Sequence, residues 1–333
     1  MLNQTFQDFE LIIRDDGSTD GSADFVAERY AAEISSGKIK LRRNEENIGE
    51  FPTDNRLIRE ATGKYFMILH SDDVYLPHAL EHMYTVAEQF QADVVHNQLR
   101  LTTKVDGVIE DGTDLKIEHN KQLSCTYTGT DADKTAPMSS DPAERFAKWV
   151  DDKINVDAPY CIFRREFMLN NDLLFWEGGF GLTGGNKFFT LKWLVTDGVF
   201  VKTTEPFYIR RDSPDSITRA KISPERIADV IAAQIEFSRH LEQYFASEKF
   251  FRDNEQRRYL ARSSMFAITG NWWIKRNGVY KDGVTFELNR AVEDEFKKHF
   301  GKYYMLPTFL FNWAQALQAK KPILKIIAPL PNQ

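Results

Sequence analysis

Leu11-Ile12-Ile13-Arg14-Asp15-Asp16-Gly17-Ser18-Thr19-Asp20-Gly21 is the stretch on which the fold turns. From Phe9 to Ile13 the chain is apolar and partly β-branched, and it stops at a run of turn formers and helix-capping residues, which predicts a strand running into a loop. Ala23, Phe25, Val26, Ala27, Tyr30 and Ala31 then recur at helical spacing as far as Ser35-Ser36-Gly37, and Ile39 and Leu41 alternate with Lys38, Lys40 and Arg42. The order is strand, helix, strand. Asn44 to Gly49 reads as a loop, Asn55 to Ala61 as a helix closed by Gly63, and Tyr65 to Leu69 as a strand buried on both faces, with His70-Ser71-Asp72-Asp73 at its carboxyl end. A helix follows from near Pro77 to about Phe90, then a short strand from Asp93 to His96. This alternation predicts an α/β fold with a doubly wound, mostly parallel, Rossmann-like sheet, whose ligand crevice lies outside the carboxyl ends of the strands. Both acidic clusters fall at such ends.

From about Thr102 to Asp141 the sequence is polar and turn-rich, with Gly107, Gly112, Gly129, Asp131 and Asp133, and reads as an insertion or hairpin region over the crevice. Order resumes over Ala143 to Val150 and Tyr160 to Phe163, and after Ser223-Pro224 the pattern is helical through Ile227 to Phe245 and Asn254 to Ile268. Two regions follow from this: an α/β domain over 1–220 and a helical region over 221–333. The length of 333 residues supports a core without metal or disulfide staples, and Cys125 and Cys161 form no CxxC pair. A net charge of −6 gives no general affinity for phosphate backbones, so nucleic acid is not an expected partner. The start has no basic and apolar leader pattern, and the uncharged run Tyr303 to Ala319, interrupted by Pro307 and Asn312, falls short of the roughly 20 apolar residues of a spanning helix. With Lys320, Lys321 and Lys325 behind it, that run reads as an amphipathic core helix or as a segment lying on a membrane surface. The expected location is cytoplasmic, with the inner face of the membrane as the site of any peripheral contact.

Two adjacent carboxylates at the end of a buried strand are costly unless a charge compensates them, and a divalent cation on a diphosphate is one natural partner for Asp72 and Asp73. The alternative is that they cap the next helix or face water. Asp15 and Asp16 have the same two readings: acceptors for a base or ribose, or organisers of an Asx turn. Asp16 to Gly21 is no EF-hand, because Ser18 stands at its third position and Ala27 where a bidentate glutamate is required. His78-Ala79-Leu80-Glu81-His82 matches the H-x-x-E-H pattern of inverted zinc proteases, with both imidazoles on one helical face, and an exposed helix face explains it equally. Arg252, Arg257, Arg258 and Arg262 alternate with Asp253 and Glu255 and read as a solvated helix face.

Taken in order, these pieces resemble the family-2 glycosyltransferases of the GT-A fold. The resemblance is carried by Leu2 to Ile13, Asp15 to Ser22, Asn47-Ile48-Gly49 with Asn55, Ala61 to Tyr65, and Ser71 to Pro77. Phe163 to Phe167, Asn171 to Phe175, Pro206-Phe207-Tyr208 and Ser216-Ile217-Thr218 resemble the family's acceptor half. The resemblance implies transfer of a sugar, with inversion, from a UDP-, GDP- or dTDP-linked donor to a hydroxyl of a glycan or lipid-linked acceptor, assisted by Mg2+ or Mn2+, as in bacterial surface-glycan synthesis. By position it places Asp16 or Asp15 at the nucleobase, Asp72 on the ribose side of the donor, and Asp73 at the metal.

The chain departs from the family pattern in several places. The family's first strand would precede Leu2. The aspartate usual before Ser-Asp-Asp is His70, and the arginine usual before Asn55 is Asp54. Aligning Phe189, Leu191 and Lys192 puts the family's Glu-Asp pair, with its catalytic aspartate, on Gly185-Asn186, neither of which accepts a proton at neutral pH. Glu177 is the expected substitute base, ahead of Asp157 and Asp172. The alternative reading is a catalytically deficient homologue that binds a nucleotide-sugar or glycan as a partner subunit, with a zinc protease through His78 and His82 a third.

Overall fold

The structure, a computed structural model, describes residues 1–103, 123–127, 135–151, 157–178, 185–211, 224–262, 264–265 and 298–299. The chain divides into two compact units, one of residues 1–177 and 185–216 and one of 178–184 and 217–333.

In the first unit, β1 (Leu11–Asp15) leads through α1 (Ser22–Arg29) and α2 (Ala31–Ser35) to β2 (Ile39–Arg43), and α3 (Glu50–Glu60) leads to β3 (Tyr65–Phe66). β4 (Val74–Tyr75), α4 (Ala79–Phe90), β5 (Val94–Asn97) and β6 (Leu99–Thr103) follow, then β7 (Leu123–Tyr127), β8 (Thr135–Pro137) and α5 (Pro142–Val150). β9 (Cys161–Arg164), α6 (Arg165–Asn170), α7 (Gly185–Val195), β10 (Phe200–Thr203) and β11 (Tyr208–Arg211) complete it. The strands form a parallel pair β1-β2, a sheet in the order β3-β9-β5-β10-β8, and a sheet in the order β4-β11-β6-β7. Parallel pairing also joins β5 to β10 and β6 to β11, and the remaining pairs are antiparallel. The α/β alternation read from the sequence is therefore present. Beside Thr102, β6 and β7 form an antiparallel ladder, while Gly107, Gly112, Gly129, Asp131 and Asp133 lie outside the described residues.

Three elements differ from the sequence expectation for local reasons. The single helix expected after Gly21 breaks at Tyr30, whose backbone (φ −119°, ψ 31°) leaves the helical region. The strand expected over Tyr65 to Leu69 is laddered only at Tyr65 and Phe66, because β9 pairs it on one side and no described strand pairs it on the other; Tyr65, Phe66 and Met67 are accordingly half-buried. α3 starts at Glu50 rather than Asn55, with Pro52 in its first turn, where a missing N–H costs nothing.

Burial follows the periodicities. α4 turns Ala79, Met83, Val86 and Ala87 into a cluster with Val95, Ile162, Val201 and Phe207. The N-terminal stretch is tied to the α4 entrance: Gln4 donates to Leu76 O at 2.8 Å and accepts from Leu80 N at 3.0 Å, and Thr5 N donates to Pro77 O at 2.8 Å. Arg145, fully buried, donates to the carbonyls of Ser139, Leu194 and Thr196 and so satisfies the C-terminal end of α7. Lys192 is enclosed on the same helix and donates to Leu174 O. Burial brings its ammonium down to about 8, against a weaker pull upward from Asp172. Between pH 8 and the ordinary lysine value the unfolded chain binds the extra proton, so stability should rise with pH across that window and be flat below it. The gain approaches roughly 3 kcal/mol. Urea melts from pH 7.5 to 10.5 should show this rise in the wild type and lose it in Lys192→Met; equal slopes would refute it.

The second unit contains α8 (Pro224–Ser247), α9 (Lys249–Arg252) and a further helix over 255–262. Phe245 packs on Phe251 with ring centroids 4.8 Å apart, and Arg262 makes a two-pronged pair with Glu242 at 2.8 and 3.0 Å. Arg258 pairs with Glu255. No helix among the described residues is long and apolar enough to cross a membrane, and Tyr303 to Ala319, with the lysines behind it, lies outside them.

Candidate active site

The site begins where β1 ends. Asp15 accepts from Ser18 N at 3.1 Å, an Asx-type turn, and Gly17 turns the chain with φ +72°. No side chain fits at Gly17: a Cβ there would lie 2.6 Å from both Asn47 N and the Glu46 carbonyl carbon. That close approach puts Asp16 within reach of the next loop. Its Oδ1 accepts from Asn44 Nδ2 at 2.8 Å and Ile48 N at 3.0 Å, and its Oδ2 accepts from Gly49 N at 2.8 Å. Burial raises the Asp16 carboxyl, but the donors Ile48, Asn44, Gly49 and Thr53 outweigh it and hold the group below the usual carboxylate range. Asn44 is the hub, since its Oδ1 also accepts from Arg14 at 3.0 Å and Arg56 at 2.8 Å. Asp16 thus fixes the Asn44–Gly49 loop and the start of α3.

The second cluster follows β3. The turn is closed by Asp73 N donating to His70 O at 3.1 Å, and β4 then pairs antiparallel with β11. Asp73 is held from β11: its Oδ1 accepts from Arg211 N at 2.7 Å and its Oδ2 from the Tyr208 hydroxyl. The side chain of Asp73 is 4% exposed, whereas Asp72 is exposed. Burial pushes the Asp73 carboxyl up against the lowering effect of these donors, and burial beside Asp73 pushes the Tyr208 hydroxyl up as well. One ligand atom from each of His70, Asp72 and Asp73 lies within 4.8 Å of the others, the only such group of three or more among the described residues.

Glu50, in the first turn of α3, adjoins this group. Its Oε1 is 3.6 Å from His70 Nε2, while His70 Nδ1 is 3.7 Å from Asp73 Oδ2. One imidazole therefore stands between the two carboxylates. Burial raises the Glu50 carboxyl; His70 lowers it, and Asp157 and Asp72 raise it further. One helical turn on, Asp54 is buried with no hydrogen bond or ion pair among the described residues, and burial together with Glu50 lifts its carboxyl well above the ordinary range. The sequence reading passed over Glu50 because it started α3 after Pro52; a first-turn proline was the available signal.

Glu177 lies in the strip before α7, against the outer part of α3. Its Oε1 accepts from Asn55 Nδ2 at 2.8 Å and pairs with Arg59 at 3.4 Å. Asn55 also accepts from Phe175 N and donates to Phe175 O, so it pins the 173–177 strip to α3. Asp172 takes φ 50° after α6, and Asn186 stands in the first turn of α7. His78 and His82 form no metal group among the described residues. His78 Nε2 is 2.9 Å from Pro206 O, His82 Nε2 is 3.1 Å from Thr203 Oγ1, and Glu81 accepts from Thr5, so the stretch is a packed helix start rather than a zinc site.

Loops at the ends of β1 and β3, with an acidic group able to hold a cation, define an α/β domain of the GT-A class. Crystal structures agree: S. aureus TarS residues 1–349, solved with UDP-GlcNAc, superposes with a TM-score of 0.55 over 96% of this chain and 86% of that one, at 15% identity. The chain belongs to glycosyl transferase family 2, whose model matches residues 1–166. Among curated relatives, glycosyltransferase GlyG of Streptococcus pneumoniae serotype 4 is 33% identical over 95 residues, 28% of this chain and 31% of that protein. The cholesterol galactosyltransferase of Borreliella burgdorferi is 36% identical over 97 residues, 29% of this chain and 26% of that protein. The matched stretches span less than a third of these relatives' own length.

Proposed function

We propose that this chain transfers a sugar, with inversion, from a nucleotide-diphosphate donor to a hydroxyl on a glycan or lipid-linked acceptor in bacterial surface-glycan synthesis, assisted by Mg2+ or Mn2+. The observation that carries the reading is the convergence of His70, Asp72 and Asp73 beside the loop that Asp16 organises. The carboxylate oxygens of Asp72 and Asp73 suit Mg2+ or Mn2+, and the His70 imidazole, a borderline donor, fits Mn2+ better than Mg2+. His70, Asp72 and Asp73 would hold the ion, with exposed Asp72 offering the most accessible oxygen. Such an ion supplies charge stabilisation to the diphosphate leaving group.

The residues of the chain do the rest. Asp16 and Asp15 shape the loop against which the nucleobase would lie, and Asp72 serves the ribose side or the metal. Asp73 fixes the cluster through β11, and a carboxylate must take the proton of the attacking hydroxyl. Glu177 is the candidate for that proton from the sequence. A lipid acceptor has support in the name of the Borreliella relative, and a UDP-sugar in the ligand of the TarS crystal. Asn186 favours a second reading, a binding-only homologue.

Thermal melting against UDP-, GDP- and dTDP-sugars, with and without Mn2+, tests the donor site. Ligand at about 100 times its dissociation constant should stabilise the protein by roughly 2.7 kcal/mol. The expected result is a Mn2+-dependent rise that Asp72→Asn abolishes. No rise with any donor would overturn the reading, and donor binding without nucleoside diphosphate release would favour the binding-only one.

A further inference from the structure

Attack by a hydroxyl on the donor needs a proton acceptor near the cation group, and Gly185-Asn186 has none. The packing of α7 shows why no acidic side chain stands at its first position. A Cβ on Gly185 would run into the ring of Phe51, which is fully buried and stacked on Phe175 at 5.2 Å, itself stacked on Phe189 of α7 at 4.0 Å. The start of α7 is therefore pressed against the first turn of α3, and the residue before Phe51 is Glu50.

Glu50 meets the requirements that the other carboxylates miss. It adjoins the cation group, 3.6 Å from His70, and its side chain is 40% exposed, so part of it is reachable by a ligand even though burial raises its carboxyl. Asp54 is buried, and both oxygens of Asp73 accept protein donors. Glu177 is tied by Asn55 and Arg59, roughly 7.5 and 13.5 Å along the α3 axis from Glu50 at 1.5 Å per residue. We propose that Glu50 is the general base of the transfer, supplied by α3 in place of a carboxylate at the start of α7. The proposal rests on the transferase reading above. In the step, the acceptor oxygen bonds to the anomeric carbon as its proton passes to the Glu50 carboxylate; the bond from that carbon to the diphosphate oxygen breaks, and its electron pair leaves with the nucleoside diphosphate. Buried Asp54 and the nearby Asp157 are acidic neighbours of this base and touch no reacting atom.

The experiment measures nucleoside diphosphate release by the whole chain from the UDP-, GDP- or dTDP-sugar that it turns over. Glu50→Gln should lower kcat by 10²-fold or more, in the range general bases contribute, with the Mn2+-dependent melting shift unchanged. Azide has no proton to lose and should restore release in that variant, a recovery that a merely structural role would not give. Normal turnover by Glu50→Gln overturns the proposal, as does loss of the melting shift together with turnover, absence of azide recovery, or a collapse confined to Glu177→Gln. In all these outcomes the wild-type chain still releases nucleoside diphosphate; if it releases none from any donor, the transferase reading itself fails and the base falls with it.

Discussion

Gly17→Ala should lower the melting temperature by roughly 10 °C and weaken nucleotide-sugar binding. Two costs add at this position. A side chain at φ +72° sits in the left-handed region, at about 1–2 kcal/mol. The new Cβ also meets backbone rather than a mobile side chain, 2.6 Å from Asn47 N and the Glu46 carbonyl carbon, and such overpacking costs about 1–3 kcal/mol. The sum is about 3 kcal/mol, and each kcal/mol moves the midpoint by roughly 2–4 °C in a domain of this size. Gly21 is the internal control, because it has φ +83° and nothing within 4 Å of its Cβ position. Gly21→Ala should carry the conformational cost alone and melt well above Gly17→Ala. The displaced 46–49 backbone would also pull Ile48 N and Gly49 N from Asp16, which links the stability loss to the donor loop. Equal melting of the two variants would show that the loops separate freely and that the close approach carries no energy.

Asp73→Ala should cost about 3 kcal/mol before any ligand is added, whereas Asp72→Asn should stay within about 0.5 kcal/mol of wild type. Asp73 accepts from a buried tyrosine and from the backbone of β11, so its removal orphans the Tyr208 hydroxyl and the Arg211 N–H at the β4–β11 junction. Asp72 faces solvent. Both variants should lose the Mn2+-dependent donor shift, for different reasons: Asp73→Ala through the collapse of its turn, Asp72→Asn through the loss of an exposed metal-accessible oxygen. Urea melts without ligand separate them. An Asp73→Ala protein as stable as wild type would mean that the bonds to Tyr208 and Arg211 contribute nothing net. Asp72→Asn is then the cleaner probe of the metal.

Much of the framework was legible along the chain because it rests on local periodicity. β2, α4, β5, α5 and α8 lie within a few residues of where apolar spacing places them, since α4 and α5 bury one face and β5 both. Boundaries failed where a single residue decides. Placing the helix from Asn55 hid Glu50 five residues earlier, while Pro52 sits in the first turn, where its missing N–H costs nothing. The half-ladder at Tyr65-Phe66 depends on β9, almost a hundred residues away, which no local pattern announces.

The sequence by itself determined the family and the two acidic loops, because strand-end aspartates and turn glycines are chemical requirements written in consecutive residues. Only the tertiary structure decided what each carboxylate does. Asp15, Asp16, Asp73 and Glu177 have similar chemistry in the sequence, yet their oxygens are taken by Ser18, by the 44–49 loop, by β11 and by α3 respectively. Asp72 and Glu50 are the acidic groups that open outward beside His70. The reason is physical: a carboxylate's reactivity depends on the donors and charges within a few ångströms of it, and those come from strands and helices distant in sequence.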